Sequence, residues 1–170
     1  MGKWILLALV AGYGAWWYFH AGRQMDEDAI EAQYAVEGQA MAKLDADYLC
    51  SRMADDFRHD AIAFTLNDGT QRESLDKEQS CEDLREGFRA FKRLNALTNG
   101  AMGLSVQHRI IEVALSDDRK SADVEAVATV RLGGRLLSKT HSIDRVIRRN
   151  GRILHAESQS KSWVYIPAAR

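Results

Sequence analysis

Proton transfer inside a protein needs a carboxylate or an imidazole whose proton affinity is tuned towards neutrality, with a second donor beside it. Five side chains have suitable chemistry and are candidates for a pocket: Tyr48, Asp60, His141, His155 and Glu157. His155 and Glu157 stand two apart in an alternating segment, a spacing that puts both on one face of a strand. The plainer reading of that spacing is a hydrated, exposed pair, so no catalytic residue is assigned. His20, His59, His108, His141 and His155 are scattered, no two of them four apart and none beside a Cys. No metal site is expected from that pattern. The chain also lacks a Gly-x-Ser-x-Gly elbow, a Cys with a neighbouring His and a glycine-rich phosphate loop, and no cofactor is expected.

Cys50 and Cys81 are the two cysteines of the chain. They fall near the end of one expected helix and at the start of the next, so a disulfide between them is a candidate staple. A bridge over such a loop adds about 3–4 kcal/mol by restricting the unfolded chain. The alternative is two small thiols buried as core residues.

The elements that would position these groups are legible from periodicity. Ala29, Ile30, Tyr34, Val36, Met41, Leu44, Tyr48, Leu49 and Met53 recur at three-to-four spacing over residues 24–56, interrupted near Gly38, which predicts a long helix and then a shorter one. From Phe57 the period becomes two, with Ile62, Phe64 and Leu66 alternating up to the turn at Asn67-Asp68-Gly69-Thr70. Asp76 with Gln79, or Ser80 with Asp83, caps a third helix whose apolar stripe is Leu84, Phe88, Phe91, Leu94 and Leu97. Segments 104–115, 121–132, 135–147 and 152–166 each alternate. Gly133-Gly134 and Asn150-Gly151 between them suit tight two-residue hairpins. These four strands form an antiparallel meander, and at that length the sheet must twist and curve. The fold class is therefore α+β, a curved antiparallel sheet packed on three helices to give a cone-shaped domain.

At 170 residues the chain has room for one such domain and a short appendage. The appendage is residues 1–23. From Trp4 to Phe19 the sequence WILLALVAGYGAWWYF carries no charge. Extended to Gly22 it reaches the thickness of a bilayer's hydrocarbon core at about 1.5 Å per residue. Tyr13, Trp16, Trp17, Tyr18 and Phe19 cluster at its end, where amphipathic rings meet headgroups. Lys3 precedes the span, whereas Asp26, Glu27 and Asp28 follow Arg23. The expectation is an uncleaved signal-anchor in a bacterial inner membrane, with the N-terminus cytoplasmic and residues 24–170 periplasmic. A cleaved signal peptide is the rival, although no small-x-small pair follows the apolar run. The 28% charged residues exclude a polytopic membrane protein.

Element order, together with the closing hairpin from His141 to His155 (HSIDRVIRRNGRILH), resembles the nuclear transport factor 2-like superfamily, including its SnoaL-like members, over roughly residues 27–166. Relatives commonly show Gly-Arg-Trp in that hairpin; here Ile153 stands at the aromatic position. The resemblance implies a conical cavity between sheet and helices, used in some members for isomerisation or dehydration and in others for binding or assembly. The first expectation is a membrane-anchored, extracytoplasmic binding or assembly module; the alternative is an anchored isomerase or dehydratase. Expected partners are the lipid bilayer through residues 4–22, a protein partner or second copy, and a small apolar ligand. Residues 131–170 are rich in Lys and Arg while residues 24–130 are acidic, and Arg148, Arg149 and Arg152 cluster at one hairpin tip. Without an aromatic-basic stacking motif, nucleic acid is not an expected partner.

Overall fold

The structure, a computed structural model, describes residues 9–14, 16, 24–65, 69–100 and 103–165. Residues 9–14 and 16 are helical, and the remainder of the 4–22 span lies outside the described residues. Among the described residues no helix is long and apolar enough to cross a membrane.

Each helix begins where a side chain takes over an orphan backbone donor. Asp26 accepts from Ala29 N–H to start α1 (Glu27–Ala42), with Glu27 and Asp28 favourably placed in its first turn. Asp45 does the same, through Tyr48 N–H, for the short α2 (Ala46–Cys50). Strands β1 (Met53–Thr65) and β2 (Gly69–Asp76) form a hairpin, and the last residue of β2 is also the cap of α3 (Lys77–Leu97). There the Asp76 carboxylate accepts from Gln79 N–H and the Gln79 side chain accepts from Asp76 N–H, a capping box. The chain closes with β3 (Leu104–Leu115), β4 (Ser121–Leu132), β5 (Arg135–Arg149) and β6 (Arg152–Val164). Gly133 and Gly134, then Asn150 and Gly151, all have positive φ, the backbone that tight primed turns demand.

The six strands form one sheet in the order β2-β1-β6-β5-β4-β3, antiparallel except for the β1–β6 pair. Residues 69–76 belong to the sheet, where the sequence pattern indicated only a turn before the third helix. Nearly every residue of this strand is exposed, so GTQRESLD carries no apolar alternation, and backbone pairing with β1 makes it a strand. The first strand likewise begins at Met53, within the stretch expected to be helical.

Two apolar clusters hold helices to sheet. Ile30 and Tyr34 of α1 pack with Val124, Ala126, Val146 and Ile153; Ala40, Leu49 and Phe88 join the three helices. Met25, just before α1, is fully buried in the first cluster. Its N–H donates to Arg119 O at 2.7 Å, and Arg119 Nε donates back to Met25 O at 3.0 Å. Met25 is thereby tied to the β3–β4 turn.

Candidate functional site

Between the helices and the concave face of the sheet lies a cavity of about 430 Å³. Its apolar wall includes Met41, Leu49, Met53, Phe57 and Leu84, and its polar groups come from both helices and strands. Tyr34 and Glu37 share the inner stripe of α1 because they are three apart. Across from them β5 presents Asp144 and β6 presents His155, while β1 and β3 contribute His59 and His108.

Two interactions organise the polar end. Glu37 Oε2 lies 2.9 Å from His155 Nε2, both side chains being largely buried, and Gln33 Nε2 donates to Glu37 Oε1 at 2.6 Å. The Asp144 carboxylate accepts three hydroxyls: Tyr34 at 2.9 Å, Ser142 at 3.1 Å and Ser158 at 2.6 Å. The Tyr34 and His155 rings meet edge to face at 5.5 Å, joining the two systems.

The electrostatics split the imidazoles into two kinds. Burial opposes charge on His155, but the charge and hydrogen bond of Glu37, with Asp144 behind, hold its pKa above the ordinary imidazole value. Burial would raise Glu37; His155, Gln33 and Arg52 outweigh it and keep that carboxyl below its usual range. For His59 and His108 burial dominates over the nearby carboxylates, and both are pushed down, so they stay neutral more readily. Burial and then Asp144 drive the Tyr34 hydroxyl far up, so it keeps its proton and serves as a hydrogen-bond donor to Asp144. A cavity in which one imidazole is shifted up and two are shifted down has the components of an acid and a base.

Of the five pocket candidates from the sequence, the structure brings His155 alone into this cavity. Glu157 points away, for a local reason. In the β5–β6 ladder Val146 pairs with His155 and Arg145 with Glu157, so Ala156 is an extra residue. That bulge reverses the inside-outside alternation, leaving Glu157 exposed and turning Ser158 and Ser160 inward. The partner of His155 is Glu37, from a helix 118 residues earlier. Asp60 and His141 line a separate groove on the other face of the sheet, with Ile62, Ile143, Gln159 and Lys161. There His141 Nε2 lies 2.7 Å from Glu125 Oε1. Tyr48 packs beside the second apolar cluster, its ring 4.9 Å below the guanidinium of Arg52.

Cys50 and Cys81 are joined as a disulfide, Cα to Cα 5.6 Å, across the α2–α3 contact. The hairpin-tip arginines are partly used within the fold: Arg148 donates to Gln24 O at 2.8 Å, Arg149 meets Asp56 at 3.4 Å and Arg152 reaches Ser51 O at 3.4 Å. Three of the scattered histidines do converge, on the cavity. Among the described residues, however, no three His, Cys, Asp or Glu are grouped so as to hold a metal ion.

Sequence reasoning passed over Tyr34, Glu37, Asp144, His59 and His108. The usable signal was a polar residue in an apolar phase. Glu37 interrupts the stripe Ile30–Tyr34–Met41, and Asp144 lies in step with Val146.

No family model matches the chain, and no curated protein does. Solved structures do. A provisionally assigned scytalone dehydratase from Novosphingobium aromaticivorans DSM 12444 is 15% identical with a TM-score of 0.58, over 84% of this chain and 89% of that one. A provisionally assigned beta subunit of an aromatic-ring-hydroxylating dioxygenase from the same organism is 16% identical, TM-score 0.57, over 84% and 92%. A nuclear transport factor 2-like protein of unknown function from Silicibacter pomeroyi DSS-3 is 10% identical, TM-score 0.52, over 78% and 92%. At such identities the likeness is one of fold. The domain has the nuclear transport factor 2-like α+β fold, also described as cystatin-like, with a curved sheet of six strands.

Proposed function

We propose that this protein is an acid–base enzyme that moves protons on a small, mostly apolar substrate, of the dehydratase or isomerase type. The observation that carries this reading is the division of the cavity's imidazoles: Glu37, 2.9 Å from His155, raises the proton affinity of that ring, while burial lowers that of His59 and His108. Environments that push the proton affinities of neighbouring groups apart are what assign an acid and a base. In a dehydration, a neutral imidazole, His108 or His59, removes a proton from the carbon next to a carbonyl. The hydroxyl on the adjoining carbon leaves as water, taking a proton from His155. The carbon–carbon double bond closes the electron balance. A cavity filled or lined only by apolar groups would instead have favoured the binding-module reading.

The tether belongs to the same proposal. The uncharged run from Trp4 to Phe19 precedes Gln24 and Met25, whose carbonyls accept from Arg148 and Arg119. We infer a single-pass inner-membrane protein with its domain in the periplasm.

The test uses the full chain in lipid nanodiscs with 4-hydroxy-4-phenylbutan-2-one, whose dehydration gives a strongly absorbing conjugated enone. Acceleration over buffer, reduced about 10²-fold or more in His108→Phe or His155→Phe, supports the reading. No acceleration, or acceleration untouched in His59→Phe, His108→Phe and His155→Phe alike, overturns it.

A further inference from the structure

The cavity contains a cation that acts on Glu37 through its charge but that no acid pairs with directly among the described residues. Arg52 follows the disulfide-linked Cys50 by two residues and borders the cavity; among the described residues its guanidinium makes no ion pair and no hydrogen bond. Its Nε is buried without a partner, and its one recorded contact is the Tyr48 ring beneath it. The Ser80 hydroxyl, on the opposite side of the bridge and adjacent to Cys81, is buried and equally unpartnered, and it too borders the cavity. The bridge holds its two Cα atoms 5.6 Å apart, so Arg52 and Ser80 flank one covalent link at the cavity wall. Burying donors without acceptors costs free energy, about 1–3 kcal/mol for a neutral group and more for a charged one.

The acids nearby are otherwise engaged or turned to solvent. Glu37 is matched by His155, and Asp144 is saturated by Tyr34, Ser142 and Ser158. Glu73 and Asp83, at the exposed rim, make no ion pair with Arg52. A planar fork of N–H donors stacked on an aromatic ring is preorganised for a two-oxygen acceptor.

We propose that the ligand of this cavity is a small apolar carboxylic acid, its carboxylate held by Arg52 and Ser80 and its hydrocarbon body lying against Leu49, Met53, Phe57 and Leu84. This rests on reading the cavity as a substrate site and names the class of substrate. The carboxylate supplies the acceptors that both donors lack, beside the polar end formed by Glu37 and His155, since His155 N–H donates to Arg52 O at 2.8 Å.

The test compares two probes on the full chain by calorimetry: 2-naphthoate, and 2-acetylnaphthalene, a neutral molecule of nearly the same shape. The expected result is naphthoate binding at least about tenfold more tightly, the worth of a charge-assisted hydrogen bond. Arg52→Gln reduces naphthoate to the level of the ketone and leaves the ketone unchanged. Arg52→Lys, keeping the charge without the fork, falls between, and Ser80→Ala weakens naphthoate severalfold. Equal affinities in the wild type, no naphthoate binding, or naphthoate affinity unchanged in Arg52→Gln overturns the proposal. Failure here with the enone assay intact removes the carboxylate anchor alone. Arg52-dependent naphthoate binding in a chain that never dehydrates its probe removes the proton-transfer reading alone.

Discussion

Replacing Glu37 by Gln removes the negative charge facing His155 while keeping nearly the same shape. Side-chain exposure is 11% for Glu37 and 16% for His155, so solvent screens the pair little. Breaking a buried pair by removing one partner costs about 3–5 kcal/mol. The Gln amide can still hydrogen-bond a neutral imidazole, recovering about 1 kcal/mol. The expected loss is therefore about 2–4 kcal/mol, a large part of the 5–15 kcal/mol typical of a domain. Urea denaturation should show a lower midpoint with an unchanged slope. The loss also depends on pH in a definite sense. Because the folded pKa of His155 is raised, its stabilisation is present below the ordinary imidazole pKa and disappears as pH rises through the folded value. Because that of Glu37 is lowered, its share is present above the ordinary carboxylate pKa and disappears as pH falls through the folded value. Wild type and variant should thus differ most between those limits. In the variant, burial of His155 loses its main opponent, and its titration by proton NMR should move down from the wild-type position. Coincident midpoints across that window, or a His155 that titrates in the variant as it does in the wild type, would refute the reasoning.

Two further outcomes are expected. Reducing the Cys50–Cys81 bridge, or replacing both cysteines by Ser, should cost about 3–4 kcal/mol, since it frees a loop with a sequence separation of 31; an unchanged unfolding midpoint under reductant contradicts this. The full chain should stay in the membrane pellet through carbonate extraction, and its appearance in the soluble fraction with the leader removed would end the tether reading.

By itself the sequence determined the parts whose causes are local. Asp76 with Gln79 started α3, Gly133-Gly134 and Asn150-Gly151 turned the chain, and period-two alternation marked β3 to β6. Capping and turn chemistry act over a few residues, so they can be read from a few residues. The exposed edge strand β2 escaped because its pairing partner, and not its own pattern, makes it a strand. Tertiary structure alone decided the site. One bulged residue, Ala156, turned Glu157 outward and Ser158 inward. Contacts spanning 118 residues for Glu37–His155 and 110 for Tyr34–Asp144 then set which groups are acidic and which stay neutral. Proton affinity depends on burial and on charges within a few ångströms, and the chain acquires both only when α1 is laid across the concave sheet.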